Sequence, residues 1–298
     1  MRTIKIGIME KLSNGILTIE VSSHGAELSR LKCGDTEYLW QADPAYWKRH
    51  SPVLFPIVGS LWNGKCRIGG KEFEMSQHGF ARDMDFTLVS KTDNELWYRL
   101  VSDESTMRKY PFPFRLEIGY RIEGRKVEVM WSVSNPGEEE MYFQIGAHPA
   151  FYYPDYAPDT EKRGFFRLEG SGQKAGQKEY CLIKEKGCAD PSVKYASPDL
   201  IPIDIHTFDK DALIFEDGQV SKVTFLTNGM KEWLSLSFDA PLVGLWSPPA
   251  KNAPFVCIEP WYGRCDRAGF EGEFRDRDWV QHLGPGETFK ASYIIEVC

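Results

Sequence analysis

The sequence predicts an all-β protein, a large antiparallel β-sandwich in one domain spanning residues 1–298. Three observations carry this reading: hydrophobic residues recur with period two, turn-forming residues separate the alternating runs, and helical periodicity is nearly absent. Antiparallel sheets packed face to face are the architecture that many short strands without βα alternation support.

The elements follow in order. Ile4, Ile6 and Ile8 alternate with Lys5 and Gly7, and Leu17, Ile19 and Val21 alternate with Thr18 and Glu20. Further runs place Leu96, Tyr98 and Leu100 on one face, then Leu116, Ile118, Tyr120 and Ile122, then Val127, Val129, Trp131 and Val133. Leu234, Leu236 and Phe238, and finally Tyr293, Ile295 and Val297, complete the set. Side chains two apart share one face of a strand, so each run has a buried face and a wetter one. Glu123-Gly124-Arg125 between two such runs predicts a hairpin turn. Helical signal is confined to residues 43–50, with Asp43 as cap and Pro44 at the first position, and to residues 103–109, ended by Pro111.

Composition excludes several classes. Hydrophobic residues are 42% and charged residues 27%, which removes disordered and collagen-like readings. The 36 basic and 43 acidic side chains give a net charge of −7, leaving no global basic surface for nucleic acid or an anionic membrane. No apolar run is long enough to span a bilayer, and the first eleven residues lack the uninterrupted apolar core of a signal peptide. Seven cysteines without a CxxC pair read as reduced thiols, so a cytoplasmic protein is expected, as a monomer or homodimer. Nine Trp, 13 Tyr and 18 Phe suit strands and can also stack on sugar rings.

Common catalytic motifs are missing. Residues 170–175 match a loose dinucleotide fingerprint, but no βαβ unit surrounds them and they read as a loop. Asp276-Arg277-Asp278 offers carboxylates for a metal, yet without neighbouring His or Cys a solvated turn is the expectation. No cofactor and no metal are therefore expected. Three segments carry more chemistry: QHGFARD at 77–83, GAHPAF at 146–151 and FVCIEPWYG at 255–263. In the third, Phe255, Cys257 and Glu259 fall on one strand face, and desolvation there would raise the glutamate toward the strength of a useful base. A strand-end glutamate in a salt bridge is the competing reading. His78 and His148 lie beside small residues that let a ligand approach, and imidazole transfers protons near neutral pH. Each can equally be a structural histidine. Sequence separations of 70 and 111 residues among the three leave their meeting to the tertiary fold.

Together with WKRHSPVLFPIVG at 47–59, these motifs resemble the aldose 1-epimerase (galactose mutarotase) family, most closely its LacX-like branch. The resemblance spans most of the chain in order. It implies a galactose mutarotase-like supersandwich that interconverts the α and β anomers of aldoses without metal or cofactor. It implies roles as well: Glu259 as general base, His148 as general acid, and His78 at the ring oxygen. Asp211 would bind sugar hydroxyls, with Asp209 close enough to be confused with it. Trp246 would be an aromatic platform, and Arg49 and Arg82 cleft arginines. One departure is Ser60, where galactose mutarotases carry arginine after the glycine matched by Gly59. The expected partner is a free aldose. A hexose-6-phosphate 1-epimerase, a non-catalytic carbohydrate-binding sandwich and a domain of a polysaccharide-acting enzyme are the alternatives.

Overall fold

A computed structural model describes residues 7–170 and 178–298. Two antiparallel sheets dominate. The nine-stranded sheet runs in the order Leu200–Asp204, Lys162–Glu169, Lys222–Leu226, Glu232–Phe238, Thr288–Val297, Lys126–Ser134, Arg115–Glu123, Glu95–Val101, Thr87–Lys91. The eight-stranded sheet runs Tyr195–Ser197, Lys178–Cys181, Leu213–Phe215, Leu242–Trp246, Phe255–Tyr262, Ile145–Ala147, Val53–Leu54, and Ala150–Tyr152 also pairs with Phe255–Tyr262. A four-stranded sheet from Met9–Ser13 to Thr36–Glu37 lies against the first of these, where Tyr98 donates to Val21 O at 3.3 Å and Tyr120 to Ala26 O at 2.7 Å.

The predicted alternation produces the main core. Val127, Val129, Trp131, Val133, Leu234, Leu236, Tyr293 and Ile295 join one buried cluster with Phe215, Val243, Leu245, Val256 and Ile258 of the other sheet. Aromatic edges lock the layers, as in Tyr153 against Phe225 at 5.7 Å and Trp131 against Tyr262 at 6.5 Å. The predicted hairpin is present: Glu123 pairs with Lys126 across a two-residue turn in which Gly124 takes φ 55°. That conformation is open to glycine and strained for most residues.

Four expectations need correction or restriction. Ile8 is 74% exposed and precedes the first strand, which begins at Met9; Ile4 and Ile6 lie outside the described residues. The alternation there has no covering layer at Ile8, whereas Leu12 is buried. Residues 43–50 form one capped turn, within the one or two turns expected, and no longer helix. Ala45 N–H donates to Asp43 Oδ1 at 2.9 Å and Trp47 N–H to Asp43 O at 3.0 Å, after which the chain turns inward to bury aromatic surface. Asp276-Arg277-Asp278 is not a solvated turn: Arg277 is buried and donates to Asp266 at 2.6 Å, and Asp278 accepts from Arg264 at 2.5 Å. Most of the glycine-rich stretch 170–175 lies outside the described residues. The other short helix forms as expected, Glu104–Met107, closed by a reciprocal box in which Thr106 N–H donates to Asp103 Oδ1 and Asp103 N–H donates to Thr106 Oγ1, both at 2.9 Å.

Candidate active site

The site grows from the central strand Phe255–Tyr262. Val256 and Ile258 point into the layer between the sheets, so Phe255, Cys257, Glu259 and Trp261 must occupy the other face. Flanking strands supply glycines beside that face: Gly244 opposite Glu259 and Gly146 opposite Trp261. A Cβ at Gly244 would lie 2.3 Å from the Trp261 ring and one at Gly146 2.5 Å from it. The indole therefore lies flat across both strands, and its Nε1–H donates to Ala147 O at 3.1 Å.

His148 sits in the link between Ile145–Ala147 and Ala150–Tyr152, two strands that both pair with the central one. This connection carries its ring over the carboxylate, with Nε2 3.3 Å from Glu259 Oε2. Trp47 stacks on the ring at 4.7 Å and 28°, and Trp246 meets it edge-on at 5.3 Å and 85°. His78 stands perpendicular to it at 5.4 Å. The His78 backbone has φ 67° and its N–H donates to Gly59 O at 2.8 Å. Gly59 N–H donates back to His78 Nδ1 at 3.0 Å. Nδ1 is thus the acceptor, and a neutral His78 holds its proton on Nε2.

Burial sets the charge states. It raises Glu259 well above the usual carboxylate range, with Asp211 adding to the rise and the Trp261 indole opposing it. It lowers His148 to about 3, with the guanidinium of Arg82 and then Arg49 contributing. His78 falls well below its ordinary value through burial, Arg82, His148 and Arg49. The 3.3 Å approach of His148 and Glu259 is close enough for an ion pair but is not aligned as a hydrogen bond, and Glu259 Oε2 and His148 Nδ1 have no hydrogen-bond partner. Desolvation opposes both charges, which favours a carboxyl group beside a neutral imidazole over an ion pair.

Asp211 borders this group. It is raised by burial and held partly back by hydrogen bonds from Ala212 N–H, at 2.8 Å, and from Trp246. Asp209 instead faces solvent and pairs with His206 at 2.9 Å, which separates the two aspartates geometrically. Arg49 and Arg82 both reach Asp83, at 2.9 and 3.9 Å, and Arg82 Nε is buried without a hydrogen-bond partner. The Ser60 side chain packs against Gly187: a Cβ on that glycine would come within 2.5 Å of the hydroxyl. A groove of about 490 Å³, lined by Asp209, Lys210, Asp211 and Tyr195 among others, leads off from Asp211. A larger cavity of about 710 Å³ on the nine-stranded sheet shares no residue with the histidines or Glu259.

The structure thus brings Glu259, His148, His78 and Trp246 into one cluster, with Asp211, Arg49 and Arg82 acting on it electrostatically. It adds Trp47, Trp261 and Cys257, to which the sequence assigned no role. Trp47 could have been singled out from its place in the WKRH motif. The indole spanning Gly146 and Gly244 had no sequence signal. One set of possible metal ligands is present among the described residues: His148, Cys257 and Glu259 offer ligand atoms within 4.8 Å of one another. The expectation that no such set exists is corrected here. The third ligand is a thiol inside the strand that carries the glutamate.

One consequence concerns stability. Unfolded His78 takes a proton below about pH 6.5 and the folded residue does not, so the unfolded chain binds more protons and folding weakens as pH falls. His78→Asn keeps an oxygen acceptor for Gly59 N–H and tolerates positive φ. Between pH 8 and 5, wild type should lose about 2 kcal/mol more than this variant in urea unfolding. Parallel losses would mean that His78 titrates normally in the folded protein.

The profile of the aldose 1-epimerase family matches residues 10–296. The plasmid-encoded protein LacX of Lactococcus lactis subsp. lactis is 31% identical, over 96% of this chain and 98% of its own. The structure of a galactose mutarotase related enzyme from Lactobacillus acidophilus superposes with a TM-score of 0.89 at 33% identity, covering 98% of this chain and 97% of the other. A galactose mutarotase-like protein from Lactobacillus casei gives 0.88 at 26% identity, over 98% and 100%.

Proposed function

Because the chain belongs to the aldose 1-epimerase family, we propose that it interconverts the α and β anomers of a free aldose by acid–base chemistry of its own side chains. The observation that carries this reading is the buried approach of His148 Nε2 to Glu259 Oε2 at 3.3 Å, on a sheet face roofed by aromatic rings. The pair holds one proton, resting on Glu259. Its shift to His148 yields a carboxylate and an imidazolium, the base and the acid that ring opening requires. Glu259 then takes the anomeric hydroxyl proton while His148 protonates the ring oxygen, and the bond from that oxygen to the anomeric carbon breaks. The aldehyde rotates about its next carbon–carbon bond and closes on the other face, returning both protons. A base of raised pKa pulls harder on the hydroxyl proton, and each proton-transfer group contributes typically ~10²–10⁴-fold. His78 Nε2–H offers a hydrogen bond to the ring oxygen side, Asp211 accepts from sugar hydroxyls, and Trp246 gives the ring an apolar face. Anomer-exchange NMR on a panel of free aldoses and their 6-phosphates tests the reading. Absence of exchange on every sugar, with binding retained, would leave a carbohydrate-binding sandwich.

A second reading, a sugar phosphate substrate, is favoured by Arg49 and Arg82 sharing the single carboxylate of Asp83 while the buried Arg82 Nε, 3.9 Å from Asp83 Oδ2, makes no hydrogen bond. Guanidinium forks suit phosphate. Arg82→Ala separates the two. With a neutral aldose as substrate, kcat/KM should fall alike for the free sugar and its 6-phosphate. A loss at least tenfold greater for the phosphate would establish the second reading.

A further inference from the structure

Cys257 lies two residues before Glu259 on the same strand face and is fully buried. Its thiol, a His148 ring nitrogen and a Glu259 oxygen lie within 4.8 Å of one another, and each residue is at least nine-tenths buried. Two of these groups have an atom lacking a hydrogen bond, Glu259 Oε2 and His148 Nδ1. We propose that this triad binds a thiophilic divalent cation of the Zn²⁺ class, and that the bound ion reversibly inhibits the enzyme.

The geometry fits such an ion with a small adjustment. Tetrahedral zinc with bonds of about 2.0–2.3 Å places its ligand atoms roughly 3.3–3.8 Å apart. His148 and Glu259 already stand at 3.3 Å, so the thiol needs to close by no more than about 1 Å. Thiolate, imidazole and carboxylate together select zinc or cobalt over magnesium and calcium, which demand oxygen shells. Two anionic ligands neutralise a doubly charged ion, so the buried complex carries no net charge. Three protein ligands leave a fourth position for water or a sugar hydroxyl. Binding exchanges protons for metal: the Cys257 thiol proton and the Glu259 carboxyl proton pass to solvent, with no change in oxidation state. Inhibition follows from the acid–base reading above, because the ion occupies the lone pairs that would move the substrate protons. The binding site itself does not depend on that reading.

The test uses the full chain carrying Cys33→Ser and Cys298→Ser, since these are the two cysteines that are not buried. Co²⁺ titration should give one equivalent of binding with a thiolate-to-cobalt charge-transfer band and tetrahedral visible bands. Both should vanish in Cys257→Ser and in Cys257→Ala. Calorimetry of Zn²⁺ binding in buffers of different ionisation enthalpy should show proton release. Micromolar Zn²⁺ should slow anomer exchange at least tenfold, and EDTA should restore it. Cys257→Ser, folded by circular dichroism, should tolerate at least tenfold more zinc than the parent, each rate being taken relative to the same protein without metal. Absence of the thiolate band in the parent, its persistence in both Cys257 variants, or undiminished zinc inhibition in them would overturn the proposal. A band with no turnover on any sugar would support the metal site and count against the epimerase reading alone.

Discussion

Glu259→Gln is expected to slow anomer exchange by about 10²–10⁴ while sugar binding persists. The amide keeps the shape and the hydrogen-bonding capacity of the carboxyl group but cannot take up a proton at neutral pH. The structure sharpens this expectation. A glutamate in a structural salt bridge would have a cationic partner, and the ion-pair contact made by Glu259 is with His148, itself neutral at rest. Substitution by a neutral residue therefore removes no attraction to a fixed charge and relieves the cost of burying an ionisable group at neutral pH, so the thermal midpoint should match or exceed wild type. His148→Asn should also lower the rate, and the double variant should fall well short of the product of the two losses, because the proposed mechanism gives both residues one proton-transfer event. Thermal midpoint and exchange rate measured on the same Gln variant decide the matter. A destabilised protein with full turnover would assign Glu259 to the fold.

Gly79→Ala is expected to destabilise the protein by about 2–5 kcal/mol, combining left-handed backbone strain with overpacking. Gly79 has φ 72°, and a Cβ there would sit 2.2 Å from Phe55 O and 2.8 Å from Pro56 Cδ. That carbonyl cannot withdraw freely, because it accepts from Phe80 N–H at 3.0 Å and Ala81 N–H at 3.2 Å. The strain falls beside His78, so whatever folds should also turn over more slowly. Gly124→Ala is the control: its φ is 55° but nothing lies near its Cβ, which leaves the backbone part alone, about 1–2 kcal/mol. Urea unfolding of both variants reads the difference. Equal losses would show that the Phe55 carbonyl yields to the added methyl group.

Much of the sheet structure was legible because alternation is a local property. The runs at Leu116–Ile122 and Val127–Val133 could be paired from their turn alone, and the structure registers them residue by residue. Glu259 was legible as a carboxylate closing an apolar run, although the strand continues past it to Tyr262, and the family motifs pointed to both histidines. What they could not convey was contact. The stacking of Trp47 on His148 joins residues about a hundred positions apart, and the turn at Asp43 that delivers it reads locally as a helix start. Asp209 and Asp211 differ by two positions and are separated only by which one faces Trp246. Cys257 was visible on the glutamate face, but its closeness to His148 depends on a strand pairing that no periodicity encodes.

The strand Phe255–Tyr262 has no spare face. Val256 and Ile258 fill the space between the sheets, while Cys257, Glu259 and Trp261 line the opposite side. Inserting or deleting one residue inside it would exchange the two sets, driving the carboxyl group into the apolar layer and setting an isoleucine beside His148. Length change is better accommodated in the more exposed stretches on either side, 249–252 and 267–273, since Arg264, Cys265 and Asp266 directly after the strand are themselves buried. The strand itself admits change only by substitution.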